Sequence, residues 1–238
     1  MAAPTTRVDE IADGIYRIST PTDVVPGGFT FNQYLIRDDE PLLFHTGMRA
    51  TFPLIKEAIG RVMPVEKLRW VSFSHVEADE CGALNQFLAV APQAQPLCSR
   101  MAAMTSVNDM ADRPPRVVVD GEIVKLGRHS IQWHDTPHLP HSWESGLMTE
   151  VTTKTFLCGD LFTHPGADLP PTTESDILGP SEQLRQAMKY FSEGQEAAVQ
   201  LRRLAQFKPK TLAVMHGSAY KGDGEKLLNA LADKLAIS

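Results

Sequence analysis

The segment "SHVEADE", residues 74–80, places one histidine and three acids directly after the apolar run "LRWVSF". A short apolar run of this kind predicts a buried strand, and a turn that follows such a strand rarely needs so much charge. His75, Glu77 and Asp79 alternate along the chain, so they would share one face of a continuing strand. In a tight turn the same side chains point in different directions, so one turn can serve two metal ions.

Three other predicted strands are followed by residues of the kind that bind metals. "HDTPHLPHS" contains His134, His138 and His141, "FLCGD" ends in Asp160, and "LAVMHG" contains His216. Strand ends converge in space, so these side chains can meet in one pocket. Each motif alone is more often a solvated turn or a core histidine; the ordered set is what indicates a dinuclear site. Two ions about 3.5–4 Å apart need a bridging carboxylate. Asp160, alone at the end of its predicted strand, is the candidate for this bridge.

The pattern of strands and helices predicts an α+β fold. Strand-like runs fall into two regions, before residue 100 and after residue 115, and helical spacing covers 51–62, 79–90, 181–206 and 223–236. Two strand-rich halves with helices behind them indicate an αββα sandwich. We expect residues 1–238 to form one domain, with irregular structure over the Pro- and Asp-rich segment 165–180 and no flavodoxin domain.

Composition excludes several classes of partner. The net charge of −6 argues against nucleic acid and anionic membrane, which favour basic patches. No apolar run reaches the roughly 18–20 residues of a membrane span. Three cysteines without a CxxC pair predict buried thiols in the cytoplasm. No Gly-rich phosphate loop is present, so we predict no bound flavin in this chain.

Taken in order, the motifs resemble the metallo-β-lactamase superfamily, and more narrowly the diiron domain of flavodiiron proteins and the related oxygen-binding diiron proteins. The resemblance covers nearly the whole chain, through "NQYLI", "LLFHTG", "SHVEADECG", "TPHLPHS", "FLCGD" and "VMHG". Hydrolases of the superfamily usually carry HxHxDH at the first motif. Here Glu77 stands in place of the second histidine, which is a flavodiiron feature.

The resemblance implies six metal ligands: His75, Glu77 and His138 on one iron, Asp79 and His216 on the other, and Asp160 bridging. His138 is chosen over its neighbours because it begins a His-x-Pro-x-Ser pattern. Two neighbouring histidines, His141 and His134, then either hydrogen-bond to a metal ligand or lie on the surface. We expect His134 to lie on the surface.

Two positions depart from the superfamily pattern. Glu80 follows Asp79 where a histidine is usual, and it is either a ligand, a hydrogen-bond acceptor behind a ligand, or exposed to solvent. His45 replaces the usual aspartate of Asp-Thr-Gly, and it either orients a ligand, donates to bound oxygen, or is a satisfied core histidine.

Ligand charge selects among metals and reactions. Imidazole with carboxylate suits iron, manganese or zinc. The third carboxylate, Glu77, adds hard oxygen donation, which favours iron and weakens the Lewis acidity that a hydrolase needs. We therefore expect two iron ions that bind or reduce O2 or NO, with no catalytic residue beyond the ligands.

The sequence leaves the use of such a site open. Without a flavodoxin domain, the chain is either an oxygen-binding sensor with a signalling partner or a reductase supplied by an external electron-transfer protein. The alternatives are a dinuclear zinc hydrolase of an ester, thioester or lactone, and a diiron oxygenase. The resemblance implies a homodimer.

Overall fold

The computed structural model describes residues 5–23, 25–192 and 194–236, whose strands form two seven-stranded mixed sheets. The first sheet has the same order in space as in the chain: β1 (Arg7–Ala12), β2 (Ile15–Thr22), β3 (Phe29–Ile36), β4 (Leu42–Phe44), β5 (Trp70–Ser72), β6 (Gln95–Ser99) and β7 (Arg116–Val118). Strands β1 to β4 pair antiparallel, and β4 to β7 pair parallel.

The second sheet contains β8 (Ile123–Lys125), β9 (Ser130–Asp135), β10 (Gly146–Glu150), β11 (Thr155–Leu157), β12 (Thr172–Thr173), β13 (Thr211–Ala213) and β14 (Ala219–Lys221). Its spatial order is β12-β14-β13-β11-β10-β9-β8. Strands β11 and β13 are parallel neighbours in the middle of this sheet, so both carboxyl ends point the same way.

Eight helices are described: α1 (Phe52–Gly60), α2 (Ala78–Cys81), α3 (Leu84–Val90), α4 (Arg100–Ala102), α5 (Asn108–Met110), α6 (Leu178–Met188), α7 (Gly194–Ala205) and α8 (Gly224–Leu235). A π-helical segment, Ala103–Val107, joins α4 to α5, and 3₁₀ turns cover Arg49–Thr51 and Val65–Lys67. Among the described helices, none has the length and apolar character needed to cross a membrane.

Three apolar clusters show the layering. The central one lies between the sheets and joins residues such as Tyr34 and Phe44 to Trp133 and Met148. Outside the first sheet, a second cluster packs strand residues against α1 and α3. Outside the second sheet, a third packs Phe156 and its neighbours against α7 and α8. Helix, sheet, sheet and helix therefore follow one another, which confirms the predicted αββα sandwich.

Two predicted helices differ from the structure. The run 79–90 forms two short helices, α2 and α3. The run 181–206 is also divided, because Lys189 ends α6 in the left-handed conformation, with φ 53°. The chain then crosses to the loop after β9, where the Ser192 amide donates to the Pro140 carbonyl at 2.8 Å. The segment 165–180, expected to be irregular, contains β12 and the start of α6.

Candidate metal centre

Ends of strands from both sheets supply the candidate site. Strand β5 of the first sheet leads directly to His75 and then to Glu77, which immediately precedes α2. In the second sheet, β11 leads to Asp160 and its neighbour β13 leads to His216. His141 lies in the loop that joins β9 to β10. The side chains therefore come from four separate segments, each held by a paired strand.

One group of four side chains is compact. His75, Glu77, His141 and Asp160 each offer one ligand atom, and these atoms lie within 4.8 Å of one another. Glu77 joins the two imidazoles: Oε1 is 2.9 Å from His141 Nε2, and Oε2 is 3.4 Å from His75 Nε2. Asp160 Oδ2 lies 3.7 Å from His75 Nε2 and 4.0 Å from His141 Nε2.

A second group forms on the other side of Asp160. His216 Nε2 is 3.2 Å from Asp160 Oδ1 and 3.4 Å from Asp79 Oδ2. The two oxygens of Asp160 thus face two different histidine groups, Oδ1 toward His216 and Oδ2 toward His75. A carboxylate in this position is placed to bridge two ions.

The three imidazoles are oriented in the same way. Each Nε2 faces the carboxylates, and each Nδ1 has a partner behind it: Ser74 Oγ at 3.0 Å and Glu80 Oε2 at 3.2 Å for His75, the Tyr190 carbonyl at 2.9 Å for His141, and the Thr30 carbonyl at 2.8 Å for His216. Because a carbonyl can only accept, Nδ1 carries the proton in His141 and His216. Such partners leave Nε2 free to bind a metal, and metal-binding histidines almost always have them.

The electrostatics of the cluster favour cations. Burial lowers the pKa of His216, but its close contacts with the carboxylates of Asp160 and Asp79 outweigh burial and raise the pKa to about 10. Burial likewise lowers the pKa of His75, and the charges of Glu80 and the other carboxylates around it raise that pKa to about 10. Burial raises the pKa of Asp160, yet contact with His216 holds it at about 2. Asp160 is therefore ionised at neutral pH, and the Nε2 protons of His75 and His216 lie where divalent cations would bind.

The residues fit a pair of divalent metal ions. His75 Nε2 and Asp160 Oδ1 are buried without a well-formed hydrogen bond. His75 Nε2 faces Asp160 Oδ2, and Asp160 Oδ1 faces His216 Nε2. Unpaired buried polar atoms are costly, and metal ligation satisfies them. The donors are nitrogen and carboxylate oxygen, which suit iron, manganese or zinc.

The structure does not bring His138 to this cluster. Its ring is exposed and lines a separate pocket of about 430 Å³ with Pro137, Ser192, Glu196 and Ala197. The His138 amide donates to the Ser142 carbonyl at 2.8 Å, which closes a turn and leaves His141 on the inner side. The expectation that His138 belongs to the first group is therefore corrected to His141.

Glu80 lies behind the cluster rather than inside it. It is fully buried, and Oε2 accepts from the His75 amide at 2.8 Å and from the Ser74 hydroxyl at 2.5 Å. Of the three interpretations left open by the sequence, this geometry favours a hydrogen-bond acceptor behind a ligand. His45, also fully buried, has Nε2 3.6 Å from Glu80 Oε1.

His134 was expected at the surface, but it is 2% exposed. Its Nε2 contacts Thr149 Oγ1 at 2.9 Å and its ring lies 4.6 Å from that of Phe207, so it belongs to the second sheet's packing and not to the site. No motif in the sequence singles out His164. Its Nε2 accepts from the Ser218 amide at 3.0 Å and so supports the loop that carries His216.

A mostly apolar pocket of about 290 Å³ opens onto the cluster. Its walls include Val25, Phe29, Leu184, Met188 and Tyr190, beside Glu77, His141, Asp160 and His216. The ring of Phe29 stacks on that of His216, with centroids 4.4 Å apart. A pocket of this size and character suits a small uncharged molecule.

Comparisons with known proteins identify a family and several relatives. Residues 29–217 match the family model described as "ODP family beta lactamase". Rubredoxin-oxygen oxidoreductase of Megalodesulfovibrio gigas is 26% identical over 170 residues, which are 70% of this chain and 41% of that protein. The nitric oxide reductase of Moorella thermoacetica is 27% identical over 162 residues, covering 62% and 39%. The chain thus spans about two fifths of the length of these relatives.

Solved structures show the same fold. The metal-soaked Flv1 flavodiiron core from Synechocystis has a TM-score of 0.84 at 21% identity and covers 99% of this chain and 62% of that one. A fragment, residues 1–254, of putative diflavin flavoprotein A 5 from Nostoc has a TM-score of 0.83 at 17% identity, covering 98% and 96%.

Proposed function

The chain belongs to the family described as ODP family beta lactamase, and from this premise we propose that it is a non-heme diiron protein that binds or reduces O2 or NO. The proposed ligands are His75, Glu77 and His141 for one iron, Asp79 and His216 for the other, and Asp160 between them.

One observation carries this proposal: the two oxygens of Asp160 face two separate histidine groups. Oδ2 belongs to the compact group with Glu77, and Oδ1 lies 3.2 Å from His216 Nε2. A single-metal site has no need of this arrangement, whereas two ions need a shared carboxylate.

Charge supports iron over zinc. Glu77, Asp79 and Asp160 supply three negative charges, which nearly balance two divalent ions together with one hydroxide. Hard anionic oxygen donors stabilise higher oxidation states and reduce Lewis acidity, so the set suits electron transfer better than hydrolysis. When bound, a pair of ferrous ions supplies electrons to O2 or NO. The zinc hydrolase alternative is not favoured.

The protein's own residues control access and orientation. Glu77 contacts both His75 and His141 and so fixes the spacing of the first group. Phe29 covers one face of His216, and Asp160, beside the apolar pocket wall, is buried. Burial strengthens the electrostatic contacts of Asp160.

The names of the relatives support O2 or NO as the molecule that binds. One relative is named rubredoxin-oxygen oxidoreductase, and another is named nitric oxide reductase. We propose that electrons reach this chain from a separate electron-transfer protein, or that a signalling partner reads its oxygenated state. The homodimer and the cytoplasmic location are part of the proposal; three buried free thiols, Cys81, Cys98 and Cys158, fit a reducing compartment.

Gas consumption tests the proposed reaction. Iron-loaded protein is mixed with a generic reductase and NADH, and O2 or NO is followed with an electrode. Reaction with either gas supports the proposal: repeated turnover indicates a reductase, and one equivalent held for a long time indicates a sensor. Zinc-loaded protein is the matched control. Thioester or lactone hydrolysis by the zinc form, with no gas reaction by the iron form, would contradict the proposal.

A further inference from the structure

Two fully buried ionisable side chains, Glu80 and His45, lie behind the metal centre and outside its ligand set. Both occupy positions where the sequence departs from the superfamily pattern. A buried carboxylate is costly unless several donors satisfy it. The contacts of Glu80 therefore indicate what it does.

One oxygen of Glu80 fixes the tautomer of His75. Ser74 Oγ donates its only proton to Oε2, at 2.5 Å, so the Ser74 oxygen is left to accept from His75 Nδ1, 3.0 Å away. Oε2 also accepts from the His75 amide at 2.8 Å and lies 3.2 Å from His75 Nδ1. The two contacts of Nδ1, with Ser74 Oγ and Glu80 Oε2, place a proton on Nδ1, so that Nε2 faces Glu77 and Asp160 and is the nitrogen that can bind a metal.

The other oxygen of Glu80 faces His45. Glu80 Oε1 has no hydrogen-bond partner among the described residues, and it lies 3.6 Å from His45 Nε2. The ring nitrogens of His45 have no well-formed hydrogen bond, although the Asn32 backbone lies close enough to raise the His45 pKa slightly against the effect of burial. Burial lowers the pKa of His45 to about 3, so the ring is neutral and has one N–H to donate. A shift of about 0.5 Å brings the two atoms within hydrogen-bond distance.

The backbone holds His45 in place for this contact. The residue has a φ of 66°, in the left-handed region that non-glycine residues rarely adopt, and its amide donates to the Ser72 carbonyl at 2.8 Å. The ring packs against Phe44, with centroids 4.2 Å apart. The Glu80 carboxylate therefore lies between two histidines: Oε1 faces His45, and Oε2 faces the ligand His75.

We propose that His45 and Glu80 act as one positioning unit for His75, in which His45 fixes the Glu80 carboxylate and Glu80 fixes the tautomer and direction of the ligand. The unit thereby sets the metal affinity and the electronic environment of the first ion. This inference rests on the proposed metal site but goes beyond it, since neither residue touches a metal.

Cobalt binding tests the unit. Co²⁺ is titrated against a chromophoric chelator, and the visible absorption of the bound ion is recorded in the wild type, Glu80→Gln, His45→Asn and the double variant. Removing an outer partner of a ligand typically weakens metal binding about 10- to 100-fold, which we expect for Glu80→Gln together with a changed cobalt spectrum. His45→Asn keeps tolerance of the left-handed backbone and is expected to lose about 3- to 10-fold, the effect of one hydrogen bond.

Coupling between the two residues is the specific readout. Because His45 acts through Glu80, the double variant is expected to bind cobalt no more weakly than Glu80→Gln alone. Glu150→Gln is the matched control, since Glu150 and His129 form another buried pair, 3.1 Å apart, on the second sheet away from the centre. That variant should lower stability and leave cobalt affinity and spectrum unchanged.

Each outcome decides the inference. Wild-type affinity and spectrum in Glu80→Gln, or strictly additive losses in the double variant, would overturn it while leaving the metal site intact. A wild type that binds no cobalt would overturn the proposed function as well. Should Glu80→Gln fail to fold, His45→Asn decides alone: weaker binding with an altered spectrum supports the unit, and unchanged binding overturns it.

Discussion

Replacing His141 by alanine tests the corrected composition of the metal centre. His141 Nε2 is one of four donor atoms that lie within 4.8 Å of one another, so the variant removes a quarter of the first group. Its neighbour His138 supplies a matched control in the same loop. That ring is exposed and lines a different pocket.

The expected magnitude follows from what the two rings contact. Loss of a partner behind a ligand typically costs 10- to 100-fold in metal affinity, and loss of a ligand should reach at least the upper value. His141→Ala is therefore expected to weaken metal binding at the first group by about 100-fold or more, which corresponds to about 3 kcal/mol. For His138→Ala we expect a change of less than about 3-fold, because its ring contributes no donor to the group.

Anaerobic Fe²⁺ titration with a competing chelator measures both variants, and circular dichroism checks that each is folded. Two results would refute the assignment of His141 to the first group: an equal loss of affinity in His138→Ala and His141→Ala, or wild-type iron binding by His141→Ala. The first result would restore the ligand chosen from the His-x-Pro-x-Ser pattern.

Three further changes have defined outcomes. Asp160→Asn should reduce bound iron from two ions per chain to one or none, because a neutral amide bridges poorly; elemental analysis showing two ions would contradict the bridge. Gly217→Ala should destabilise the fold by about 2–4 kcal/mol, since φ is 116° and a Cβ would lie 2.3 Å from the His164 ring. Gly60→Ala, with nothing within 4 Å of the added atom, is its control in urea unfolding and should be neutral or stabilising. Burial lowers the pKa of His134 to about 4, so its contribution to stability is complete above about pH 6.5 and is lost as pH falls toward 4. The loss is at most about 3 kcal/mol, and His134→Gln should remove that part of the pH dependence from urea unfolding; an identical slope in both proteins would refute the assignment.

The parts of the site that the sequence predicts are those set by local pattern. His75, Asp160 and His216 each follow an apolar run, and each lies just beyond the end of a strand in the structure. The alternation of Glu77 and Asp79 also predicts a turn that directs their side chains apart. In the structure Glu77 contacts His75 of the first group, and Asp79 contacts His216. These positions depend on residues close by in the chain.

The parts that the sequence does not predict depend on distant contacts. His138 and His141 stand in one short loop, and the choice between them depends on the Tyr190 carbonyl that holds His141, 49 positions away. That carbonyl is in place because Lys189 ends α6 in a left-handed conformation, which the helical spacing of 181–206 does not reveal. Every residue type has a backbone carbonyl, so no sequence motif could have identified this partner.

Anaerobic iron loading followed by exposure to O2 tests the central claim most directly. The wild type is loaded with Fe²⁺ in the absence of air, freed of excess metal, analysed for iron and then mixed with O2 while its visible spectrum is recorded. We predict two iron ions per chain and a new absorbance that appears only with O2 and only in the iron form. Two zinc ions retained in preference to iron, with no spectral change on adding O2, would contradict a diiron centre held by Asp160.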